Sequence, residues 1–231
     1  IFWTILPALV LIVIAIPTIR TIYDTASPPT SDAFEVTVVG HQWWWEFEYP
    51  DAGGGKRITT ANEMRVPVDV PVRLTLLSDD VIHSFWIPAL NGKRDAVPRR
   101  VSPWKIEADV PGLYFGQCTE FCGLSHSRMR MQTVAMEPAD FQAWVDRQMR
   151  PAVEPNRAAA QRGREVFEGQ CARCHVVNGV NDDTSRGADL VANAAPNLTH
   201  LMSRTTYAGG IFNLYESDGT LNRPQLEAWL R

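Results

Sequence analysis

The sequence predicts a multidomain protein with an N-terminal transmembrane helix, an all-β domain and a small all-α domain. Three observations lead to this fold class. The segment from Ile1 to Ile19 has no charged side chain, short alternating or β-branched runs follow it, and from Arg157 the pattern is helical and rich in loops. We expect the chain to divide into a helix with its exit (1–26), a β domain (27–137), a short helix with a linker (138–156) and an α domain (157–231).

The uncharged N-terminal run is about as long as a bilayer core is thick. A transmembrane helix needs roughly 20 apolar residues, and prolines such as Pro7 and Pro17 are tolerated in it. A signal peptide would carry a basic leader and a small-residue cleavage site, which this run lacks, and a buried core helix is usually shorter. The run therefore predicts a membrane span. Because it begins abruptly at Ile1, we expect further residues before it, and a second span among them is left open.

Six short runs that favour β-strands lie between residues 34 and 136, separated by turns such as 51–55 and 91–92. Several short strands at this spacing predict an antiparallel sandwich or barrel. A helix with one apolar face is expected at 138–149, and the proline-rich segment 151–155 predicts a stiff linker. The runs are 34–39, 43–49, 70–77, 81–87, 104–108 and 131–136, and the helix face comprises Phe141, Trp144, Val145 and Gln148.

Composition and charge exclude several classes of protein. The composition is that of an ordinary globular protein, which argues against disorder and collagen-like repeats. The formal net charge of −4 at pH 7 argues against nucleic acid as a partner, because that role requires a basic face. The consecutive Trp43, Trp44 and Trp45 would alternate along a strand, with Trp43, Trp45 and Phe47 on one face and Trp44 on the other. Core packing is therefore one explanation of this aromatic segment.

The second pair of cysteines forms a C-x-x-C-H motif at Cys171, Cys174 and His175. In this pattern both thiols attach covalently to a c-type heme, and the histidine binds its iron. A thioredoxin-like pair would follow a strand, whereas 163–170 favours a helix, and a zinc site would require a second pair of ligands. The motif therefore predicts a covalent heme c.

The residues around this motif resemble those of cytochromes c. Gly163 and Phe167 lie one helical turn apart, which would allow a partner helix to pack closely over the glycine. The stretch Pro196, Asn197 and Leu198 is similar to the segment that supports the heme and its proximal histidine in that family. The resemblance implies a small cytochrome c domain at 157–231.

The motif does not assign the sixth ligand of the heme iron. In the family this ligand is normally a methionine that comes late in the chain and is followed by a last helix. Met202 follows Leu198 closely, and the sequence stops at Arg231. We therefore expect an incomplete cytochrome c domain with its sixth ligand beyond Arg231. Met202, or His200 in a bis-histidine heme, is the alternative within the sequence.

The first pair of cysteines lies in a segment that is dense in soft metal ligands. Cys118, Cys122, His126 and Met129 fall within twelve residues, and His83 lies upstream in a predicted strand. Thiolate, imidazole and thioether groups are ligands of copper in electron-transfer sites, and two thiolates can bridge two ions. A disulfide would not explain the histidines and the methionine, and zinc has little use for a thioether. The pattern predicts a dinuclear copper site.

Residues 34–137 resemble the copper domain of cytochrome c oxidase subunit II, a Greek-key barrel of the cupredoxin type that holds the dinuclear copper centre CuA. Thr119 and Trp44 replace residues that are usually serine and tyrosine there, without removing a ligand. The side chain of Glu120 would bind a magnesium ion shared with subunit I, and Trp43 would be the point where electrons enter. The implied copper ligands are the bridging thiolates of Cys118 and Cys122, the imidazoles of His83 and His126, the thioether of Met129 and the backbone carbonyl of Glu120.

A span, a copper domain and a fused cytochrome c domain occur in this order in one subclass of these oxidases. The resemblance implies an electron-transfer subunit on the outer, periplasmic or extracellular, side of a bacterial cell membrane. Electrons from a cytochrome c or a quinol-oxidising complex would pass through the heme and the copper centre to subunit I, where oxygen is reduced to water and protons are pumped. Subunits I and III and membrane lipid are the expected partners.

Other functions stay open at the level of sequence. The nearest is the equivalent subunit of a copper-containing nitric oxide reductase, because this chain does not include the catalytic subunit. A quinol oxidase subunit of the same fold would lack the copper ligands. A copper store or chaperone would leave the heme without a role, and an anchored nitrous oxide reductase would carry propeller repeats, of which the sequence gives no sign.

Overall fold

The computed structural model describes residues 1–29, 33–50, 57–181 and 194–231. The chain begins with helix α1 (Phe2–Ala26), which contains Pro7 and Pro17. Its length and composition are sufficient to cross a membrane. None of its side chains is buried against the rest of the described chain. This exposure agrees with the predicted span and argues against a buried core helix.

The β domain consists of two five-stranded sheets. Its described strands are β1 (Phe34–His41), β2 (Trp44–Tyr49), β3 (Ile58–Ala61), β4 (Glu63–Pro67), β5 (Val72–Ser78), β6 (His83–Trp86), β7 (Arg94–Ala96), β8 (Ser102–Ile106), β9 (Gly112–Cys118) and β10 (Arg130–Met136). The sheet orders are β3-β2-β1-β5-β8 and β4-β10-β9-β6-β7. Neighbours are antiparallel except for β1 with β5 and β4 with β10, which are parallel. The predicted sandwich is thus present, but its sheets are mixed, because the chain crosses repeatedly from one sheet to the other.

Alternating apolar side chains form the core between the two sheets. In β5, Val72, Leu74 and Leu76 are fully buried, whereas the intervening Arg73 and Thr75 are only partly buried. This period of two is expected for a strand that turns one face to a core. Burial of a large apolar side chain stabilises the fold by about 1.5–3 kcal/mol. Other members of the core cluster, drawn from both sheets, are Val36, Val38, Trp45, Phe47, Met64, Phe85 and Met131.

Strands β3, β4, β7 and β9 were not among the predicted runs. β3 and β7 have only four and three residues, too few for a pattern to be recognised. β9 contains Gly112 and Gly116, and glycine weakens a strand pattern. Gly116 is required by packing, since a Cβ there would lie 2.7 Å from the carbonyl oxygen of Trp86 on the neighbouring strand β6.

Helix α2 (Pro138–Gln148) follows β10 directly and confirms the predicted helix. A proline occupies its first turn, where no backbone N–H is needed. The four residues of the predicted face are all buried. The ring centroid of Phe141 lies 5.2 Å from that of Phe34, and Trp144 lies 5.2 Å from Tyr49. The helix therefore extends the aromatic core of the sandwich.

We call residues 157–231 the C-terminal module, and its described part contains less helix than predicted. Helix α3 (Ala158–Val166) runs into a π-helical turn at Phe167–Cys171, and helix α4 (Arg223–Trp229) lies near the end of the sequence. Between them, strands β11 (Thr206–Tyr207) and β12 (Phe212–Asn213) pair in an antiparallel hairpin. The small all-α domain is therefore not evident in the described part of the module.

The turn of this hairpin explains why the sequence pattern did not reveal it. Ala208, Gly209 and Gly210 all have positive φ angles, a conformation that glycine adopts at little cost, and strands of two residues leave no recognisable alternation. Gly163 also differs from its expected role. A Cβ at this position would meet nothing within 4 Å, so no described helix packs closely over it.

Candidate metal centre

The first cysteine segment forms a loop that joins β9 to β10. Cys118 is the last residue of β9, and the register of the two strands places Arg130 opposite Gln117. Across the base of the loop, the amide of Cys118 donates to the carbonyl of Met129 at 3.0 Å. A turn of 3-10 helix at His126–Arg128 compacts the loop. Strand pairing thus closes the loop and gathers its ligands.

His83 reaches the same loop because β6 pairs with β9. Phe85 lies opposite Cys118 in this antiparallel pair, which brings the nearby His83 to the cysteine. Nδ1 of His83 is 3.9 Å from Sγ of Cys118, and that sulfur is 3.9 Å from Sγ of Cys122. One donor atom from each of these three buried residues lies within 4.8 Å of the others, a spacing that could hold a metal ion.

The remaining predicted copper ligands lie at the same two sulfur atoms. Nδ1 of His126 is 3.4 Å from Sγ of Cys122, and the thioether sulfur of Met129 is 3.8 Å from it. The carbonyl oxygen of Glu120 is 3.3 Å from Sγ of Cys118, whereas Glu120 as a residue is exposed. The structure therefore brings all of the predicted copper-binding residues into one continuous set of contacts.

The chemistry of this donor set fits copper. Cys118 and Cys122 are free thiols, and their separation of 3.9 Å is far longer than the about 2.05 Å of a disulfide bond. Two thiols, two imidazoles, a thioether and a carbonyl oxygen combine soft and borderline ligands. Such a combination suits copper in electron transfer better than zinc or calcium.

The two thiols differ in how readily they lose a proton. Burial disfavours the thiolate of Cys118, but hydrogen bonds with His83 and with the backbone outweigh it and lower the pKa to about 7. Burial, followed by the charge of Cys118, raises the pKa of Cys122 to about 12. Two adjacent thiolates therefore require a positive charge between them, and a bridging metal ion would supply it.

Asp80, which the sequence analysis did not single out, orients His83. Its Oδ1 lies 2.8 Å from Nε2 of His83, which leaves Nδ1 turned toward Cys118. Burial would raise the pKa of Asp80, but hydrogen bonds with His83 and with the amides of Val81 and Gln42 outweigh it and lower the pKa. A carboxylate behind a ligating imidazole commonly fixes the orientation of the ring. The spacing of three residues between Asp80 and His83 was the available signal.

Trp43 lies in the turn between β1 and β2, not on the strand face that alternation predicted. Its indole N–H donates to the carbonyl of Cys122 at 3.2 Å, and the side-chain amide of Gln42 donates to the same oxygen at 2.7 Å. Gly123 has a φ of +122°, and a Cβ there would come within 3.1 Å of the indole. Trp43 is thus packed against the ligand loop, while Trp45 belongs to the core.

Gly40 leaves space for the imidazole of His83. A Cβ on Gly40 would lie 2.8 Å from Cδ2 and 3.0 Å from Cγ of that ring. Gly40→Ala must displace the buried imidazole, and we expect a loss of about 1–3 kcal/mol in unfolding free energy together with weaker copper retention against a chelator. Gly92→Ala is the matched control, since a Cβ there would meet only Trp104, at 3.7 Å. Equal losses in the two variants would contradict this role of Gly40.

The C-x-x-C-H motif lies just after the π-helical turn. The amides of Cys174 and His175 both donate to the carbonyl of Cys171, at 3.1 and 3.0 Å, so the motif forms one compact turn. Cys171 is partly buried, Cys174 is exposed, and both are free thiols. Nδ1 of His175 lies 2.7 Å from the carbonyl oxygen of Pro196. This bond leaves Nε2 as the nitrogen available to an iron ion, and the residues present fit a covalent heme.

Asn181 supports this turn and was missed by the sequence analysis. Its buried side-chain amide donates to the carbonyls of Ala172 and His175 at 3.1 and 2.9 Å, and its carbonyl oxygen accepts from the amide of Val177 at 2.8 Å. These bonds hold the ends of the motif together. A lone asparagine seven residues after Cys174 carries no signal in sequence that would reveal such a role.

The candidates for a sixth heme ligand differ in their surroundings. The side-chain nitrogen Nε2 of His200 is 2.9 Å from the carbonyl oxygen of Gln148. It must donate a proton there, so this nitrogen is not free to bind iron. Met202 is half exposed, and its carbonyl accepts from the hydroxyl of Tyr215 at 2.6 Å, which leaves its sulfur unconstrained by that contact. His200 could therefore bind iron only through Nδ1, and both residues stay candidates.

The first cysteine pair, His83 and His126 lie on the two-sheet sandwich, within a segment that has known relatives. Residues 52–136 match the family model for the periplasmic domain of cytochrome c oxidase subunit II. We refer to residues 34–136 as the subunit II-like domain. The cluster of His83, Cys118 and Cys122 lies inside the matched segment, and together the match and the cluster support a copper centre of the CuA type.

Similarity to subunit II extends along the chain. Cytochrome c oxidase subunit 2 of Alkalihalophilus pseudofirmus is 35% identical over 235 residues, which cover 99% of this chain and 62% of that protein. The same subunit of Bacillus subtilis is 34% identical over 244 residues, covering 99% and 64%. The crystal structure of the periplasmic domain of subunit II from Bradyrhizobium japonicum shares 32% identity over 53% of this chain and 96% of its own, with a TM-score of 0.49. The chain spans less than two thirds of the length of these curated relatives.

Proposed function

We propose that this chain is the electron-transfer subunit II of a heme-copper terminal oxidase. The observation that carries the proposal is the contact of two free, buried cysteines with two histidines and a methionine, inside a segment that matches the subunit II family. The complete path would lead from an external donor through a c-type heme and the copper centre to subunit I, where oxygen is reduced to water with proton pumping.

The copper centre would be held by the residues gathered at the two sulfur atoms. Copper and heme bound to this chain would accept and release single electrons. Cys118 and Cys122 would bridge two ions, and His83 and His126 would each bind one of them. The thioether of Met129 and the carbonyl of Glu120 would complete the set, since each lies within 3.8 Å of a bridging sulfur.

The protein itself fixes the positions of these ligands and shields most of them from water. His83 and Met129 are fully buried, and the two cysteines are nearly so. His83 is fixed from behind by Asp80 and is packed against Gly40. Ligands held by strand pairing and by partners of this kind change little in position when the charge at the site changes.

Electrons would reach the copper centre at Trp43. Its indole ring is one hydrogen bond away from the backbone of Cys122, a proposed bridging ligand. The carbonyl oxygen of Glu120 contacts Sγ of Cys118, and its residue is exposed, so its side chain would bind a magnesium ion shared with subunit I. The loop between β9 and β10 would therefore contact both Trp43, where electrons enter, and subunit I, which receives them.

The heme would be attached to Cys171 and Cys174 with His175 as its proximal ligand. The carbonyl of Pro196 fixes this histidine through Nδ1 and makes Nε2 a better donor to iron. Met202 is the proposed sixth ligand within the sequence. The fused heme would act as an intramolecular donor, which raises the effective concentration of the electron source at the copper domain.

The remaining parts of the proposal concern the membrane and the partners. Helix α1 would anchor the chain in a bacterial cell membrane, with the subunit II-like domain and the C-terminal module on the outer side. Subunits I and III and lipid would surround the helix, whose side chains are exposed along its length in the described chain. The donor would be a cytochrome c or a quinol-oxidising complex.

The first test is a pair of spectra of the purified complex, oxidised and then reduced. We expect an electron paramagnetic resonance signal split by two equivalent copper nuclei, together with the visible bands of a c-type heme. The thiolate and imidazole ligands at the cluster are the reason to expect delocalisation over two ions. A signal from a single copper ion, or no copper signal, would contradict the dinuclear assignment.

The terminal acceptor requires a separate measurement, because oxygen or nitric oxide would be reduced in another chain. Rates of oxygen and nitric oxide consumption by the intact complex, measured with the same donor, distinguish an oxidase from a nitric oxide reductase. Oxygen consumption coupled to proton release on the outer side supports the proposed function. Nitric oxide consumption without oxygen consumption would contradict it.

A further inference from the structure

A buried carboxylate, that of Glu63 on β4, joins the subunit II-like domain to the C-terminal module. Glu63 is 2% exposed. Its Oε2 accepts from the amide and from the hydroxyl of Thr205, at 2.8 and 2.7 Å, although 142 residues separate the two in sequence. The side chain of Gln132 on β10 donates to the same oxygen at 2.8 Å and also contacts the hydroxyl of Thr205.

The second oxygen of Glu63 pairs with Arg65. Nη2 and Nε of this guanidinium lie 2.6 and 3.1 Å from Oε1. An ionised carboxylate has about four acceptor positions, and each of its oxygens is here engaged by more than one donor. Burial would raise the pKa of Glu63, but the charge of Arg65 and the hydrogen bonds from Thr205 and Arg65 outweigh it and lower the pKa. The carboxylate is therefore held in its charged form.

The segment on either side of Thr205 is bound by further side chains. Arg65 also donates to the carbonyl of Ser203 at 3.0 Å, and the amide of Gln148 on α2 donates to the hydroxyl of Ser203 at 3.0 Å. His200 contacts the carbonyl of Gln148 at 2.9 Å. Three hydrogen bonds therefore join Arg65 and helix α2 to His200 and Ser203, in addition to those at Glu63.

This segment is continuous with the support of the proximal histidine. Arg204 is 7% exposed, and one of its terminal nitrogens donates to the carbonyl of Asn197. The preceding residue, Pro196, carries the carbonyl that fixes His175. A short path of two hydrogen bonds and one peptide unit therefore connects Arg204, next to the Glu63 anchor, with the imidazole proposed to bind heme iron.

The β11–β12 hairpin makes a second contact at the copper-ligand loop. The carbonyl of Gly209 accepts from the amide of Arg130 at 3.1 Å, and a Cβ at Gly209 would lie 2.7 Å from the carbonyl oxygen of Arg128. Arg128 and Arg130 flank Met129, the proposed thioether ligand. The module is therefore in direct backbone contact with the loop that carries the copper ligands.

We propose that Glu63 is a positioning residue that fixes the C-terminal module, and with it His175, at one place on the subunit II-like domain. This inference rests on the proposed function, because its consequence is that one buried carboxylate sets the distance between the heme and the copper centre. Glu63 touches neither centre. It acts by holding Thr205 and, through the neighbouring Arg204, the loop at Asn197.

The test compares Glu63→Gln with Glu48→Gln in the full complex. Glutamine keeps the shape of the side chain but removes its charge, and its NH2 group must face the donors either of Thr205 and Gln132 or of Arg65. Glu48 on β2 is the matched control, because it also pairs with an arginine, Arg57, and its side chain is 22% exposed. We expect hydrogen exchange at the amide of Thr205 to be about tenfold to hundredfold faster in Glu63→Gln only, as loss of a charged buried hydrogen bond implies.

One magnetic and one kinetic measurement depend directly on the distance between the heme and the copper centre. The heme iron shortens the spin relaxation time of oxidised copper to a degree set by the distance between the two centres. In Glu63→Gln we expect this shortening to become weaker and to vary more among molecules. Electron transfer from heme to copper should slow, while the absorption spectra of the heme and of the copper centre stay unchanged. Thr205→Val, which removes only the hydroxyl on the module side, serves as a second variant if Glu63→Gln does not fold.

The possible outcomes separate this inference from the proposed function. Unchanged exchange at Thr205 and unchanged relaxation in both variants would overturn the inference. Faster exchange throughout the sandwich, equal to that at Thr205, would also overturn it, since Glu63 would then be a general stabiliser. If the wild-type complex lacks the copper or heme signals, the proposed function fails, and exchange at Thr205 still decides whether Glu63 positions the module.

Discussion

Replacement of Cys122 by serine is expected to abolish the copper signal and to stop electron flow to the terminal acceptor. Sγ of Cys122 lies between three other donor atoms, those of Cys118 at 3.9 Å, His126 at 3.4 Å and Met129 at 3.8 Å. A hydroxyl is a harder ligand and ionises far less readily than a thiol, so it cannot replace a bridging thiolate for copper. Loss of a group that only supports a metal ligand commonly lowers activity by about 10- to 100-fold. Because Cys122 is itself a proposed ligand, we expect the rate of oxygen consumption to fall by more than this.

The measurements are the copper content per heme, the copper resonance signal and oxygen consumption by the purified complex. Ser125→Ala is the matched control, because Ser125 lies in the same loop and its side chain makes no capping hydrogen bond to the following turn. The heme bands should be the same in both variants. A Cys122→Ser complex that keeps the split copper signal would contradict the assignment of this sulfur as a bridge.

Replacement of both Cys171 and Cys174 by serine is expected to remove the covalent heme and leave the copper centre intact. The two thiols belong to one turn, closed by hydrogen bonds to the carbonyl of Cys171, and they lie outside the copper cluster. Loss of an intramolecular donor should slow oxidation of the natural donor by about 10²–10⁴-fold, the factor that linking two partners in one chain commonly provides.

Heme staining after denaturation, the visible spectrum and the copper signal together test this expectation. Arg173→Lys is the control, since Arg173 lies between the two cysteines and is exposed. Reduction of the copper centre by a small artificial donor should persist in the double variant. Unchanged oxidation of the natural donor would show that electrons bypass the C-terminal module, and the proposed path would then be wrong.

Local sequence patterns predicted most of the residues at the candidate site and several of the helices and strands that hold them. The period of the apolar positions indicated helix α2 together with its four buried side chains. Alternation indicated strands such as β1, β5 and β10, because one face of each meets the core. The soft ligands of the first cysteine segment are close in sequence, so a single loop could gather them. In each case residues within a few positions of one another determine the outcome.

Contacts that depend on strand register were beyond the sequence. The approach of His83 to Cys118 requires β6 to pair with β9, and β9 was not predicted because its glycines obscure the alternation. Trp43 was expected on a strand face with Trp45, but the strand begins one residue later, so its indole meets Cys122 instead. The pairing of His41 with Trp44 sets where β2 begins, and only the assembled sheet fixes it.

The C-terminal module shows the same limit. The C-x-x-C-H motif identified Cys171, Cys174 and His175 without a structure, since heme attachment needs only that spacing. The β11–β12 hairpin was missed because its two-residue strands leave no pattern, and the all-α prediction for this region is not evident in the described residues. The support of Asn181 for the motif is likewise a product of the folded turn.

The sequence by itself determined which side chains this protein offers to a metal and to a heme, the apolar helix long enough to span a membrane, and the short strands of a sandwich. These are properties of spacing and composition along the chain. The tertiary structure alone decided that His83 meets the cysteine loop, that Asp80 orients it, and that Glu63 binds Thr205 across 142 residues. Such contacts require burial of the whole core and pairing of distant strands, which no local pattern records.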